Sequence, residues 1–127
     1  MVSKELLSEV FGVDIKDDPK IGFAYDDYNG VELEWQEVRF NFISYPLDYV
    51  ANKCKEWALK HNYGIASSTD GYVDSVINGF SGIYVMQNPN EILNEFQADT
   101  EPEAIFKACQ WILDNINKKE AFYGSEQ

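Results

Sequence analysis

Two stretches of this sequence carry apolar residues at spacings of three and four, and between them the spacing falls to two. In the first, Leu47, Val50, Ala51, Cys54, Trp57 and Ala58 form one stripe, with Asn52, Lys53, Glu56 and Lys60 on the other side. In the second, Ile105, Ala108, Cys109, Ile112 and Ile116 form the stripe, widened by Phe106 and Leu113. A stripe of this period is one buried face of a helix, whereas alternation is the mark of a strand with one face covered. Neither element can bury its apolar face alone, so the chain has to be an α+β domain with helices laid on a sheet.

Local signals set the expected boundaries. The first long helix starts after Ser44-Tyr45 with Pro46 in its first turn, where a missing N–H costs nothing. Gly64 stands ready as the left-handed residue that ends it. The second starts at a capping box, Thr100-Glu101-Pro102-Glu103, in which the Thr100 hydroxyl accepts the Glu103 N–H and the Glu103 carboxylate reaches back. Lys118 and Lys119 suit the negative end of its dipole. A shorter helix is expected over about Ser3 to Phe11, stopped by Gly12.

Strand sequence fills the rest. Ile21 to Tyr25 and Val31 to Trp35 flank Tyr28-Asn29-Gly30, a hairpin signal because Asn-Gly tolerates positive φ. The apolar set then changes parity, from Val31, Leu33 and Trp35 to Val38, Phe40 and Phe42. All six read as the inward set, so a bulge or turn is expected near Gln36-Glu37. Farther on, Asp70-Gly71 reads as a tight turn and Asn78-Gly79 as a turn or bulge. The last strand covers Ile92, Asn94, Phe96 and Ala98. The expected architecture is an antiparallel sheet of about four to six strands with two long helices in the order helix–strands–helix, preceded by the N-terminal helix and β-hairpin. Residues 1–127 make one domain: 1–45 as the helix and hairpin extension, 46–119 as the core, 120–127 as a flexible tail. Whether the hairpin joins the main sheet stays open.

Charge narrows the function. Among 127 residues there are 22 Asp and Glu against 10 Lys and Arg, a formal net charge of −12. Nucleic-acid binding runs on cations that displace counterions, so this balance excludes it, and it argues against an anionic membrane surface as well. Aromatic residues make up 15% of the chain. So many large apolar rings exclude disorder. No apolar run is long enough to span a membrane, the N-terminus lacks a signal-peptide core, and two cysteines do not make a secreted disulfide framework, so the chain is expected to be soluble and cytoplasmic.

Reactive constellations are scarce. Cys54 and Cys109 both sit on buried helix stripes, where a thiol behaves as a small hydrophobe. His61, the single histidine, lies nearly two turns from Cys54. One His and two scattered Cys give no zinc spacing. Asp26-Asp27-Tyr28-Asn29-Gly30 fails as a calcium loop, because aligning Gly30 with its glycine puts Tyr25 and Gln36 at the essential carboxylate positions. Asp17-Asp18, Asp26-Asp27 and Glu32 with Glu34 are explained as solvated faces. No catalytic residue, metal or cofactor is expected.

From His61 through Phe106 there is no Lys or Arg, yet this stretch holds Asp70, Asp74, Glu91, Glu95, Asp99, Glu101 and Glu103. Asp70, Asp74, Glu91 and Glu95, joined by Glu32 and Glu34, are the expected acidic binding face. Tyr28, Tyr72 and Tyr84 are the expected aromatic anchors, since exposed Tyr commonly anchors interfaces.

Two resemblances complete the reading. The helix–strand–strand–strand–helix order matches the double-stranded RNA-binding domain, but Glu101 and Glu103 stand where those domains carry phosphate-gripping lysines. A closer likeness rests on Lys53-Cys54-Lys55-Glu56-Trp57-Ala58, on the run from Phe96 to Cys109 through Thr100-Glu101-Pro102-Glu103, and on Leu6-Leu7-Ser8-Glu9-Val10. In these the chain resembles short phage and prophage proteins in the style of the phage ABA sandwich domain, a likeness that implies a fold and no catalytic residues. The expectation is a phage-type accessory protein that binds a basic protein surface, for instance as an inhibitor of a host or defence protein. A small-molecule enzyme with an acidic cleft and a structural or oligomerising phage component are the alternatives.

Overall fold

The computed structural model describes residues 2–73 and 76–125, with side chains described outside 70–77 and 120–125. Helix α1 (Lys4–Phe11) begins at Ser3, whose hydroxyl accepts the Leu6 N–H at 3.1 Å, and ends at Gly12, whose φ of 65° lets its N–H reach the Ser8 carbonyl. Both ends thus satisfy backbone groups that a helix leaves unpaired. Its buried residues are Leu6 and Leu7.

Strands β1 (Lys20–Tyr28) and β2 (Val31–Phe40) form the expected hairpin. Asn29 and Gly30 both have positive φ, 53° and 79°. A two-residue turn matched to strand twist requires this. The parity change, however, involves no bulge: pairing runs in unbroken register from Lys20 opposite Arg39 to Tyr28 opposite Val31. A straight strand whose apolar residues change parity puts one set on the other face, and Val31, Leu33 and Trp35 are exposed while Val38 and Phe40 are buried. Phe42 also departs from the expected inward set. Because Phe40 pairs with Ile43 of β3 (Ile43–Pro46), Asn41 and Phe42 become a second two-residue turn with φ of 50° and 61°, and the Phe42 ring is fully in solvent. Asn41 fixes this turn: its side chain accepts the Lys16 N–H and donates to the Asp14 carbonyl, and its own N–H donates to Asp17.

Pro46 is the last residue of β3 and the cap of α2 (Leu47–Lys60), one position before the helix proper. The left-handed residue after α2 is Asn62, with φ of 71°, and not Gly64. Asn62 is held there by reciprocal amide hydrogen bonds with Gln87 at 2.7 and 3.0 Å. Gly64 belongs to β4 (Tyr63–Val73), where a Cβ would run into the Tyr84 ring of the neighbouring strand β5 (Val76–Val85). Asp70-Gly71 is no tight turn, because β4 continues through it with a register shift between Asp70 and Tyr72. Asn78-Gly79 is no turn either, and the irregularity beside Asn78 has its extra residue on β4. The dipeptide pairs regularly with Thr69 and Asp70, and Gly79 is required because the backbone of Thr100 and Glu101 lies against it. Strand β6 (Asn94–Ala98) completes this sheet and leads into α3 (Glu101–Ser125). The Glu103 N–H reaches the Thr100 hydroxyl at 3.4 Å, which forms the Thr100 half of the capping box. Since α3 runs to Ser125, Lys118 and Lys119 lie before its last turn.

The strands therefore form two three-stranded antiparallel sheets, β1-β2-β3 and β4-β5-β6, where a single sheet of four to six strands was expected. The hairpin pairs with β3, ahead of α2, and not with the strands that follow it. Both sheets nevertheless supply one core. Val38 and Phe40 of the first and Ile83 of the second join Val50, Cys54, Trp57, Phe106, Cys109 and Ile112 from the two long helices. Helix α3 packs on α2 and lies across β4, β5 and β6, and α2 reaches both sheets. The buried Ser81 hydroxyl donates to the Ala104 carbonyl at 2.7 Å, a tie between β5 and α3. Phe11, Phe40, Tyr45 and Tyr49 form an aromatic cluster, with the Tyr45 ring centroid 5.1 to 5.6 Å from those of the other three. No helix among the described residues is long and apolar enough to cross a membrane.

Candidate protein-binding surface

The register of the first sheet decides what its outer half presents. Residues opposite one another in an antiparallel pair share a face. Ile21, Val38 and Tyr45 lie on the face that meets the core, and farther out that same face carries Phe23, Tyr25, Asp27, Glu32, Glu34 and Gln36. The other face carries Ala24, Asp26, Tyr28, Val31, Leu33 and Trp35. Beyond Gln36 neither face is covered: Tyr28 is 68% exposed, Tyr25 61% and Phe23 53%. The outer hairpin is a two-stranded ribbon with apolar side chains on both faces, and β3 reaches only as far as Glu37 along its side.

Carboxylates line the ribbon. Asp27 stands directly opposite Glu32, and Glu34 follows two residues on along the same face. Like charges set opposite each other across strands destabilise the pair. Among the described residues, the salt bridges join Arg39 to Glu37 at 2.9 Å and Lys53 to Glu56 at 3.5 Å, so Asp27 and Glu32 have no described cation between them. Glu37, by contrast, is buried on the second face at the ribbon's base, and Arg39 beside it supplies its counter-charge.

A cleft of about 520 Å³ opens where the ribbon meets the beginnings of α2 and α3. Trp35, Pro46 and Pro102 form apolar parts of its wall, while Glu34, Asp48 and Asp99 give it acid groups. Glu101 also faces it, but its carboxylate accepts hydrogen bonds from Ser67 at 2.7 Å and Thr69 at 3.2 Å, which ties α3 to β4. Among the described residues there is no grouping of three or more His, Cys, Asp or Glu able to hold a metal.

The expected site residues are divided between the sheets. Glu32 and Glu34 share one face of the ribbon, and Tyr28 lies on the other. Glu91 lies in the turn before β6, where it accepts a hydrogen bond from Asn88 at 2.9 Å, and Glu95 is exposed on β6 opposite Gly82. Tyr84 is half-buried with its ring over Gly64. Asp74 and the side chains of Asp70 and Tyr72 lie outside the described residues. Cys54 and Cys109 are buried and free. The Cys109 sulfur lies 3.5 Å from the Cys54 carbonyl oxygen. Hydrogen bonding with the Cys54 side chain, followed by burial, pushes the Cys109 thiol pKa far up. His61 packs on Trp57, with ring centroids 4.8 Å apart. Sequence reasoning missed Phe23, Tyr25, Val31, Leu33 and Trp35 as surface residues. For Val31, Leu33 and Trp35 the signal is the parity change itself, which a regular strand explains by exposing one of the two sets; Phe23 and Tyr25 share the face of Val38 and carry no such signal.

Comparison with protein-family models, curated proteins and solved structures finds no match to this chain.

Proposed function

We propose that this chain is a non-enzymatic accessory protein of the phage or prophage type that works by binding a basic protein surface, with the ribbon as its docking element. The observation that carries this reading is the Asp27–Glu32 pair on the ribbon face that also exposes Phe23 and Tyr25, with Tyr28, Val31, Leu33 and Trp35 exposed on the other face. An inserted Lys or Arg would turn the mutual repulsion of these carboxylates into attraction, while Tyr25, Tyr28 and Trp35 supply the large contact areas that dominate interface energies. A net charge of −12 favours such a partner at long range and disfavours phosphate. Blocking a basic host or defence protein is the action this chemistry suits.

The test is affinity capture from host lysate with the wild-type chain and with a triple variant, Asp27→Asn, Glu32→Gln and Glu34→Gln. The expected outcome is a protein retained at low salt by the wild type and lost by the variant. It should also be released at about 0.5 M salt, where screening shortens electrostatic reach to a few ångströms. Equal retention by the variant refutes the reading.

A further inference from the structure

We propose that the free edge of β1 takes up an extended segment of a basic partner as an added strand, so that binding runs through backbone hydrogen bonds as well as charge. This deepens, and rests on, the docking role given to the ribbon. The two-residue Asn29-Gly30 turn makes Tyr28 and Val31 a hydrogen-bonded pair. Alternate residues of β1 back to Lys20 therefore direct their N–H and C=O to β2. Ile21, Phe23, Tyr25 and Asp27 direct theirs to the open side. Strand β1 is the edge of its sheet, with β2 on its other side.

The other sheet edges carry devices that discourage pairing. Strand β3 has only four residues and ends at Pro46. Strand β4 is irregular between Asp70 and Tyr72. On the five-residue β6, the Lys107 ammonium occupies the Gln97 carbonyl at 2.8 Å. Strand β1 has nine residues, an unbroken register and no proline. Its charged residues sit at its ends, Lys20 at one and Asp26 with Asp27 at the other, leaving Ile21-Gly22-Phe23-Ala24-Tyr25 uninterrupted.

Charge complementarity selects the occupant. An added strand would set alternate side chains beside Phe23, Tyr25 and Asp27 on one face and beside Gly22, Ala24 and Asp26 on the other. Lys or Arg beside Asp27 lies on the face that also carries Glu32 and Glu34, and Lys or Arg beside Asp26 meets that carboxylate on the other face. Nothing lies within 4 Å of where a Gly22 Cβ would stand, so an apolar side chain of the added strand has room there. A second copy of this chain would bring its own Asp26 and Asp27 and its own net charge of −12, which disfavours it as the occupant.

The test uses the full chain and a fluorescein-labelled peptide of alternating Lys and Val, about as long as β1, with binding read by anisotropy at low salt. Two altered peptides accompany it: one N-methylated at alternate residues along the pairing edge, and one with Glu replacing Lys. The expected result is binding of the parent, with loss of at least about tenfold on N-methylation. In the protein, Tyr25→Pro removes an outward N–H at an edge position that tolerates proline and should cause a similar loss, while Tyr25→Phe retains affinity. No binding of the parent overturns the proposal. Equal binding of the N-methylated peptide overturns strand addition and leaves charge-guided docking standing. Equal binding of the Glu peptide overturns the basic-partner reading itself. Sedimentation showing a dimer that Tyr25→Pro dissolves assigns the edge to a second copy, which also overturns the proposal.

Discussion

Replacing Gly79 with alanine tests the joint between the second sheet and α3. A Cβ at this position would sit inside the van der Waals shells of the Thr100 carbonyl and the Glu101 amide. These are backbone atoms at the start of a helix, so no side-chain rotation relieves the overlap. Either β5 or the first turn of α3 must move. Overpacking in a well-packed site costs about 1–3 kcal/mol, and a rigid backbone neighbour places this case at the upper end. Movement of Thr100 also disturbs the cap on the Glu103 N–H. Such a cap is worth about 1 kcal/mol. The lower entropy of the unfolded alanine chain returns about 0.4–1 kcal/mol. The net expectation is a loss of about 3 kcal/mol, a large part of the roughly 5–15 kcal/mol typical of a folded domain. It corresponds to a fall in melting temperature of about 10 °C. Equilibrium unfolding in urea, followed by Trp fluorescence and far-UV circular dichroism, measures it. Gly22→Ala is the control, because its Cβ meets nothing and its φ needs no glycine. It should be neutral or slightly stabilising. A Gly79→Ala protein within about 0.5 kcal/mol of wild type would refute the close approach of helix and strand.

Two further outcomes are expected. Arg39→Ala leaves the Glu37 carboxylate buried without its counter-charge. Urea unfolding should show a loss of about 1 kcal/mol, well below the value for fully buried pairs because Arg39 is itself exposed and screened by solvent. Adding Glu37→Gln should restore part of it. The raised pKa of Cys109 means that the folded protein holds this proton while the unfolded chain releases it above its ordinary value of 9.0. Stability is therefore unaffected by this group below that pH and falls above it at up to about 1.4 kcal/mol per unit. Cys109→Ala should remove this slope relative to wild type in unfolding curves collected between pH 8 and pH 11.

Elements whose signals are local were legible in the sequence. Ser3 and Gly12 around α1, the Asn29-Gly30 hairpin turn, Thr100 at the start of α3 and both helix stripes depend on neighbours within a few residues. The errors arose where a distant partner decides. Gly64 and Gly79 look like punctuation in sequence, but they are glycines because the Tyr84 ring and the Thr100–Glu101 backbone, far along the chain, lie against them. Asn62 takes the left-handed position that Gly64 was expected to fill, held by Gln87. The division into two sheets was invisible because strand alternation reports which face is covered and not which strand is alongside. At the candidate site, charge and turn chemistry single out Glu32, Glu34 and Tyr28, and the ribbon carries all three. Val31, Leu33 and Trp35 read as interior residues in the sequence because apolar alternation implies a covered face, yet they stand exposed in the fold.

Strand β2 serves two masters along its length. Val38 and Phe40 are held by the packing of α1, α2 and the stacked aromatic rings, so their identities answer to stability. From Val31 to Trp35 the same strand is exposed and stands outside the core, so those identities are free to answer to a partner alone. The stretch from Phe23 to Trp35 is in this sense a cartridge. Another hairpin with the same turn and register can replace it without altering a single buried side chain, so what the ribbon exposes can change while the frame that holds it stays as it is.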